Sequence, residues 1–162
     1  MGSELREVGA LIRERRLELG LTQARLARLA GVSRVTVNQL ESGSIDELGF
    51  NRLAEITSLL GLRLGAGSQS HGHLGLEAAS RTASVGYRDT LDPDCLASAL
   101  ASGKLPPGWI AHVSTLLDEA PLSLIVAAVE EAAAASGVQP RQIWRNVERW
   151  AVELASPRRA WA

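Results

Sequence analysis

Residues Thr22 to Gly43 read TQARLARLAGVSRVTVNQLESG, and the spacing inside this stretch decides how the first part of the chain folds. Thr22 precedes a short run in which Leu26, Ala27 and Ala30 recur at helical intervals, so it is placed to cap a helix that Gly31 stops. Ser33 caps the next helix, which runs to about Ser42 before Gly43. Between them Gly31 lets the backbone turn sharply, joining two helices that cross steeply, and the apolar Val32 packs beneath the turn. In the helix that follows Ser33, Val37 and Leu40 point inward. Positions 34, 35, 38 and 39 then cluster on the opposite face, which presents Arg34, Val35, Asn38 and Gln39.

That face has the chemistry of major-groove readout. An arginine such as Arg34 matches guanine O6 and N7, while Asn38 and Gln39 match adenine. Val35 suits a thymine methyl group. Ser33 and Thr36 sit at the helix start, the end that enters a groove first, and suit phosphates or base edges. Gln23, opening the preceding helix, is placed to hold a phosphate with its side chain and a nearby backbone amide. Thr22 and Ser33 cap their helices whatever the function.

Working outward, a helix is expected from about Glu4 to Leu19, with Val8, Leu11, Ile12 and Leu19 on one face, stopping at Gly20. Another, from about Gly49 to Leu60, offers Phe50, Leu53, Ile56 and Leu60, and Leu62-Arg63-Leu64 reads as a brief strand. Taken together, Thr22-Gln23, Leu26-Ala27, Gly31-Val32-Ser33, Val37, Leu40-Glu41 and Gly43 resemble the helix-turn-helix of the phage Cro and repressor family, also called the XRE family. The resemblance implies a four- to five-helix DNA-binding domain over residues 1–64. It also implies a Glu41–Arg16 pair tying the recognition helix to the scaffold. A homodimer would set two recognition helices about 34 Å apart on a palindromic operator of double-stranded DNA. One departure stands out: many members carry basic residues after the third helix, whereas Ser44 to Leu48 here includes Asp46 and Glu47. Modest non-specific affinity and a need for dimerisation follow. Leu48 to Leu64 (LGFNRLAEITSLLGLRL) resembles the antitoxin branch of the same family, whose members bind their own promoter and hold a toxin inactive.

Beyond this the composition shifts. Residues 65–80 (GAGSQSHGHLGLEAAS) read as a flexible linker, and 81–156 as a small all-α C-terminal module that binds a partner, with a frayed tail at 157–162. Arg81 to Arg88 (RTASVGYR) reads equally as a strand or an extended arm. Asp92-Pro93 starts a helix, and further helices are expected over 109–119, 121–136 and 139–155. The last is amphipathic, with Ile143, Val147, Trp150, Ala151 and Leu154 in one stripe. Arg141, Arg145 and Arg149 make a basic stripe that faces solvent, DNA or an acidic toxin surface. Tyr87 in the arm and Trp144 at the edge of the apolar stripe complete the partner-binding candidates; Trp109 and Trp150 are read as core.

Bulk properties narrow the class. A net charge of −1 argues against a binder driven by overall charge, and residues 1–66 hold nine arginines against eight acids, so DNA affinity depends on where the arginines sit. The lone Cys95 excludes an intramolecular disulfide and a cysteine zinc site. With no signal peptide and no bilayer-spanning apolar run, the chain reads as cytoplasmic. His71 and His73 in a linker make a poor metal site, and His112 has no partner in sequence. No catalytic constellation stands in a credible context, so neither enzyme activity nor a cofactor or metal is expected. The resulting expectation is a mainly α repressor, autoregulating as the antitoxin of a toxin–antitoxin pair; the alternative is a repressor whose C-terminal module senses a small effector or only oligomerises.

Overall fold

Helix caps set the element boundaries at the centre of the N-terminal half. Thr22 Oγ1 accepts the Arg25 N–H at 3.1 Å and Ser33 Oγ accepts the Thr36 N–H at 3.0 Å, so both helices start where the sequence places them. Gly31 and Gly43 end them with φ of +65° and +68°, the left-handed conformation that a side chain disfavours. The computed structural model describes residues 2–45, 47–62 and 74–161. In it the first half contains α1 (Gly2–Glu18), α2 (Gln23–Ala30), α3 (Arg34–Ser42) and α4 (Phe50–Leu59). The second contains α5 (Gly75–Ala83), α6 (Pro93–Ser102), α7 (Ile110–Glu119), α8 (Leu122–Ser136), α9 (Pro140–Glu153) and a 3₁₀ turn, Arg159–Trp161. Among the described residues every regular element is helical, so the chain is mainly α, with a helix-turn-helix followed by a helical C-terminal region.

Several expectations need correcting. Residues 65–73 of the expected linker, with His71 and His73, lie outside the described residues, as do Arg63 and Leu64 of the expected strand. The rest of the linker is not flexible: residues from Gly75 onward form α5, whose Leu76, Ala79, Ser80 and Ala83 are buried at helical spacing. Gly75 is there for close approach, since a Cβ would lie 2.8 Å from the carbonyl carbon of Ala127 in α8. No side chain of α5 caps its own start; Glu131 of α8 does so from across the fold, accepting the Leu76 N–H at 2.8 Å. The RTASVGYR segment is neither strand nor arm. It is the end of α5 and a turn, in which Ser84 Oγ accepts the Leu91 N–H at 2.8 Å. Phe50, expected inside, is 72% exposed, and α4 packs instead through Ile56, Leu59 and Leu60. The tail is ordered: Arg158 donates to Ala120 O at 2.5 Å and Trp161 Nε1 to Leu117 O at 3.2 Å, while Ala160 is buried.

The two halves share one hydrophobic core, which runs without interruption from Ile12, Leu19, Leu26 and Leu40 to Leu96, Val129, Trp144 and Trp150. Polar contacts cross the same boundary. Arg15 of α1 forks onto Glu130 of α8 at 2.7 and 2.8 Å, and Arg25 of α2 forks onto Glu148 of α9 at 2.5 and 2.6 Å. Such paired, two-point geometry fixes orientation as well as distance. No described helix is long and apolar enough to cross a membrane.

Candidate nucleic-acid interface

Helix α3 carries the candidate reading surface, and its inner face shows what holds it. Val37 and Leu40 are fully buried. Gly9 of α1 brings the two helix backbones so near that a Cβ there would overlap the carbonyl oxygen of Leu40. Next to this contact Arg16 donates to both oxygens of Glu41, at 2.6 and 2.8 Å, and to Leu21 O at 2.8 Å. Arg16 and Glu41 are 7% and 8% exposed, so the pair is screened from water and its hydrogen bonds are correspondingly strong. Glu41 also accepts from the Gln23 amide at 3.0 Å, which links α1, the start of α2 and α3 through one carboxylate. The Glu41–Arg16 pair implied by the family resemblance is therefore present.

With that face fixed, the opposite one is open. Arg34, Val35, Asn38 and Gln39 are all exposed on α3, and Val35 shows 64% of its surface. Ser33 and Thr36 share a 2.8 Å hydrogen bond between their hydroxyls in addition to the cap. Gln23 spends one amide hydrogen on Glu41; its second amide hydrogen and the backbone N–H groups at the start of α2 are left for an outside acceptor.

The partner-binding candidates do not share a surface. Trp144 is fully buried, with its indole N–H on Leu19 O at 3.0 Å, so it joins the two halves and is not an exposed anchor. Arg149 donates to Gly103 O at 2.5 Å and pairs with Glu153. Tyr87 is 40% exposed; its ring stacks on His112 at 4.1 Å and its hydroxyl bonds Thr115 at 3.0 Å, above α7. Arg141 and Arg145 are exposed on α9. The amphipathic spacing of α9 placed Trp144 at the stripe's edge, but the edge faces Leu19, just past the end of α1, which no spacing within α9 reveals. Gly9 and the acid partners Glu130 and Glu148 were likewise not singled out from sequence, because each acts only through an element far along the chain.

Residues 12–66 match the protein-family model described as Helix-turn-helix. That portion is similar to the XRE-type helix-turn-helix, a domain of DNA-binding transcription regulators. The match covers about a third of the chain and stops before α5. No curated protein and no solved structure gives a significant match.

Proposed function

We propose that the protein is a sequence-specific transcriptional repressor, acting in the cytoplasm, that binds a palindromic operator as a homodimer. The observation that carries this reading is the exposed quartet Arg34, Val35, Asn38 and Gln39 on a helix clamped from behind by Glu41, Arg16 and Gln23. Base readout needs donors and an apolar contact held in fixed register, and a clamped helix supplies that register. Gln23, Ser33 and Thr36 serve the flanking backbone. Repression follows from occupancy of a promoter, and the acidic loop after α3 favours binding through two half-sites. Selection of duplexes from a random pool by the intact protein tests the reading. A recovered inverted repeat, bound by two chains, supports it; recovery of no preferred sequence overturns it.

A second reading makes the same repressor the autoregulating antitoxin of a toxin–antitoxin pair. Besides the resemblance of residues 48–64, one observation favours it: Tyr87 is partly exposed where it bonds to α7 next to the exposed Ile110, an amphipathic spot suited to a protein partner. Co-expression with the product of the adjacent gene, followed by capture, separates the readings. A complex lost on Tyr87→Ala supports the antitoxin; a harmless neighbour that is not captured leaves the plain repressor.

A further inference from the structure

A cleft of about 500 Å³ opens beside the start of α3, and its walls come from both halves of the chain. Gln23 and Ala24 of α2 and Arg34 of α3 line one side; Gln139 and Arg141 at the start of α9 line the other. The approach is tight at its base, where a Cβ on Gly20 would lie 2.6 Å from the backbone nitrogen of Arg141. Three arginines border the cleft and no acid does. Arg16 is consumed by Glu41, whereas Arg34 and Arg141 make no ion pair or side-chain hydrogen bond among the described residues. Two guanidinium groups from elements more than a hundred residues apart thus face one opening with nothing to neutralise them.

We infer that Arg141 is a DNA-backbone contact: the C-terminal half extends the nucleic-acid interface by placing a cation on the phosphates that flank the groove read by α3. This rests on the proposed DNA-binding function. When the start of α3 enters the major groove, about 12 Å wide, the sugar–phosphate strands rise on both sides of it. The start of α2 is the usual helix-turn-helix backbone contact, and the cleft puts Arg141 beside it, with the Arg141 backbone next to Gly20. A doubly charged opening without an acid suits a polyanion. It suits an acidic protein less, because Gln23 and Arg34 on the same walls are the groups offered to DNA. The contact also gives the buried Trp144 a role. By bonding Leu19, Trp144 fixes the first turn of α9 against the helix-turn-helix and so sets where Arg141 stands.

The test uses full-length protein and two duplexes: one selected by the wild type from a random pool and one of unrelated sequence. Affinity is measured between 50 and 200 mM salt for wild type, Arg141→Ala, Arg141→Lys and Arg145→Ala. Loss of one phosphate contact predicts that the slope of log K against log salt becomes shallower by about 0.9 for Arg141→Ala, on both duplexes alike. Arg141→Lys should restore the slope, and Arg145→Ala, one turn further along α9 and outside the cleft, should leave it unchanged. An unchanged slope for a folded Arg141→Ala protein would overturn the assignment, as would an equal loss for Arg145→Ala, which would mean bulk charge alone. If the wild type itself selects no duplex, the DNA-binding reading fails first, and that result is distinct from either.

Discussion

Arg34 is the exposed cation in the first turn of α3, and its loss should be felt as loss of discrimination, not of folding. A bidentate arginine–guanine contact contributes about 1–3 kcal/mol against the wrong base. Arg34→Ala is therefore expected to weaken binding to the selected duplex by that amount while leaving thermal stability within about 0.5 kcal/mol of wild type. Gel-shift titration beside a melting curve checks both; equal losses on selected and unrelated duplexes would make Arg34 a backbone contact. Glu41, seven residues further along α3, should behave in the opposite way. Removing one member of a buried ion pair leaves the other charged and unsatisfied, at a cost of about 3–5 kcal/mol. Glu41→Ala should thus lower the urea midpoint strongly, with DNA affinity falling only because α3 loses its register. A double variant, Arg16→Met with Glu41→Leu, should recover much of the stability, since an apolar pair no longer leaves a charge buried.

Elements meet here at glycines and at ion pairs, and these are where reading from sequence alone fell short. Caps and breakers at Thr22, Gly31, Ser33 and Gly43 act within a few residues, so α2 and α3 and the outward face of α3 were legible from spacing. Gly75 was not: glycine beside serine and histidine looks like flexibility, whereas here it admits the backbone of Ala127. Phe50 misled in the other way, because periodicity marks a possible core face without saying which neighbour covers it. Gly9 makes a sharp case. Gly→Ala inside a helix normally stabilises by about 1 kcal/mol, but at Gly9 the new Cβ meets the backbone oxygen of Leu40, which no rotamer change can move. Overpacking costs about 1–3 kcal/mol, so Gly9→Ala should destabilise on balance. A raised melting temperature would contradict the close approach. The Arg25–Glu148 contact between α2 and α9 adds a pH dependence. Burial alone raises the Glu148 pKa, but the hydrogen bonds and charge of Arg25, with Arg28 beside it, outweigh that and hold the carboxyl below the ordinary value. A lowered carboxyl stabilises the folded state above the unfolded pKa, about 4.3, and loses that contribution as pH falls through its own value. Glu148→Gln should therefore melt lower than wild type at pH 7, with the gap closing as pH falls below the ordinary carboxylate range.

At the scale of the whole molecule the shared core changes what the C-terminal half is. A hinged partner-binding module would fold and melt by itself. Instead Trp144 is buried with its indole bonded to Leu19, Arg15 and Arg25 fork onto Glu130 and Glu148, and one set of apolar side chains runs through both halves. This makes DNA reading and the C-terminal helices mechanically one object, which is what Arg141 at the cleft requires. The distribution of tryptophan offers a direct check, because all four (Trp109, Trp144, Trp150 and Trp161) lie in the second half. Their fluorescence reports only that half, whereas helical circular dichroism reports both. A single cooperative unit predicts coincident transitions by the two probes in heat or urea. It further predicts that residues 1–62 alone melt well below the intact chain, having lost the cover that α8 gives to α4 and the terminal 3₁₀ turn gives to α2. If circular dichroism shows a transition that fluorescence does not follow, the halves unfold independently. The ion pairs and the Trp144 bond would then be too weak to couple them, and the position of Arg141 relative to the recognition helix would not be fixed by the fold.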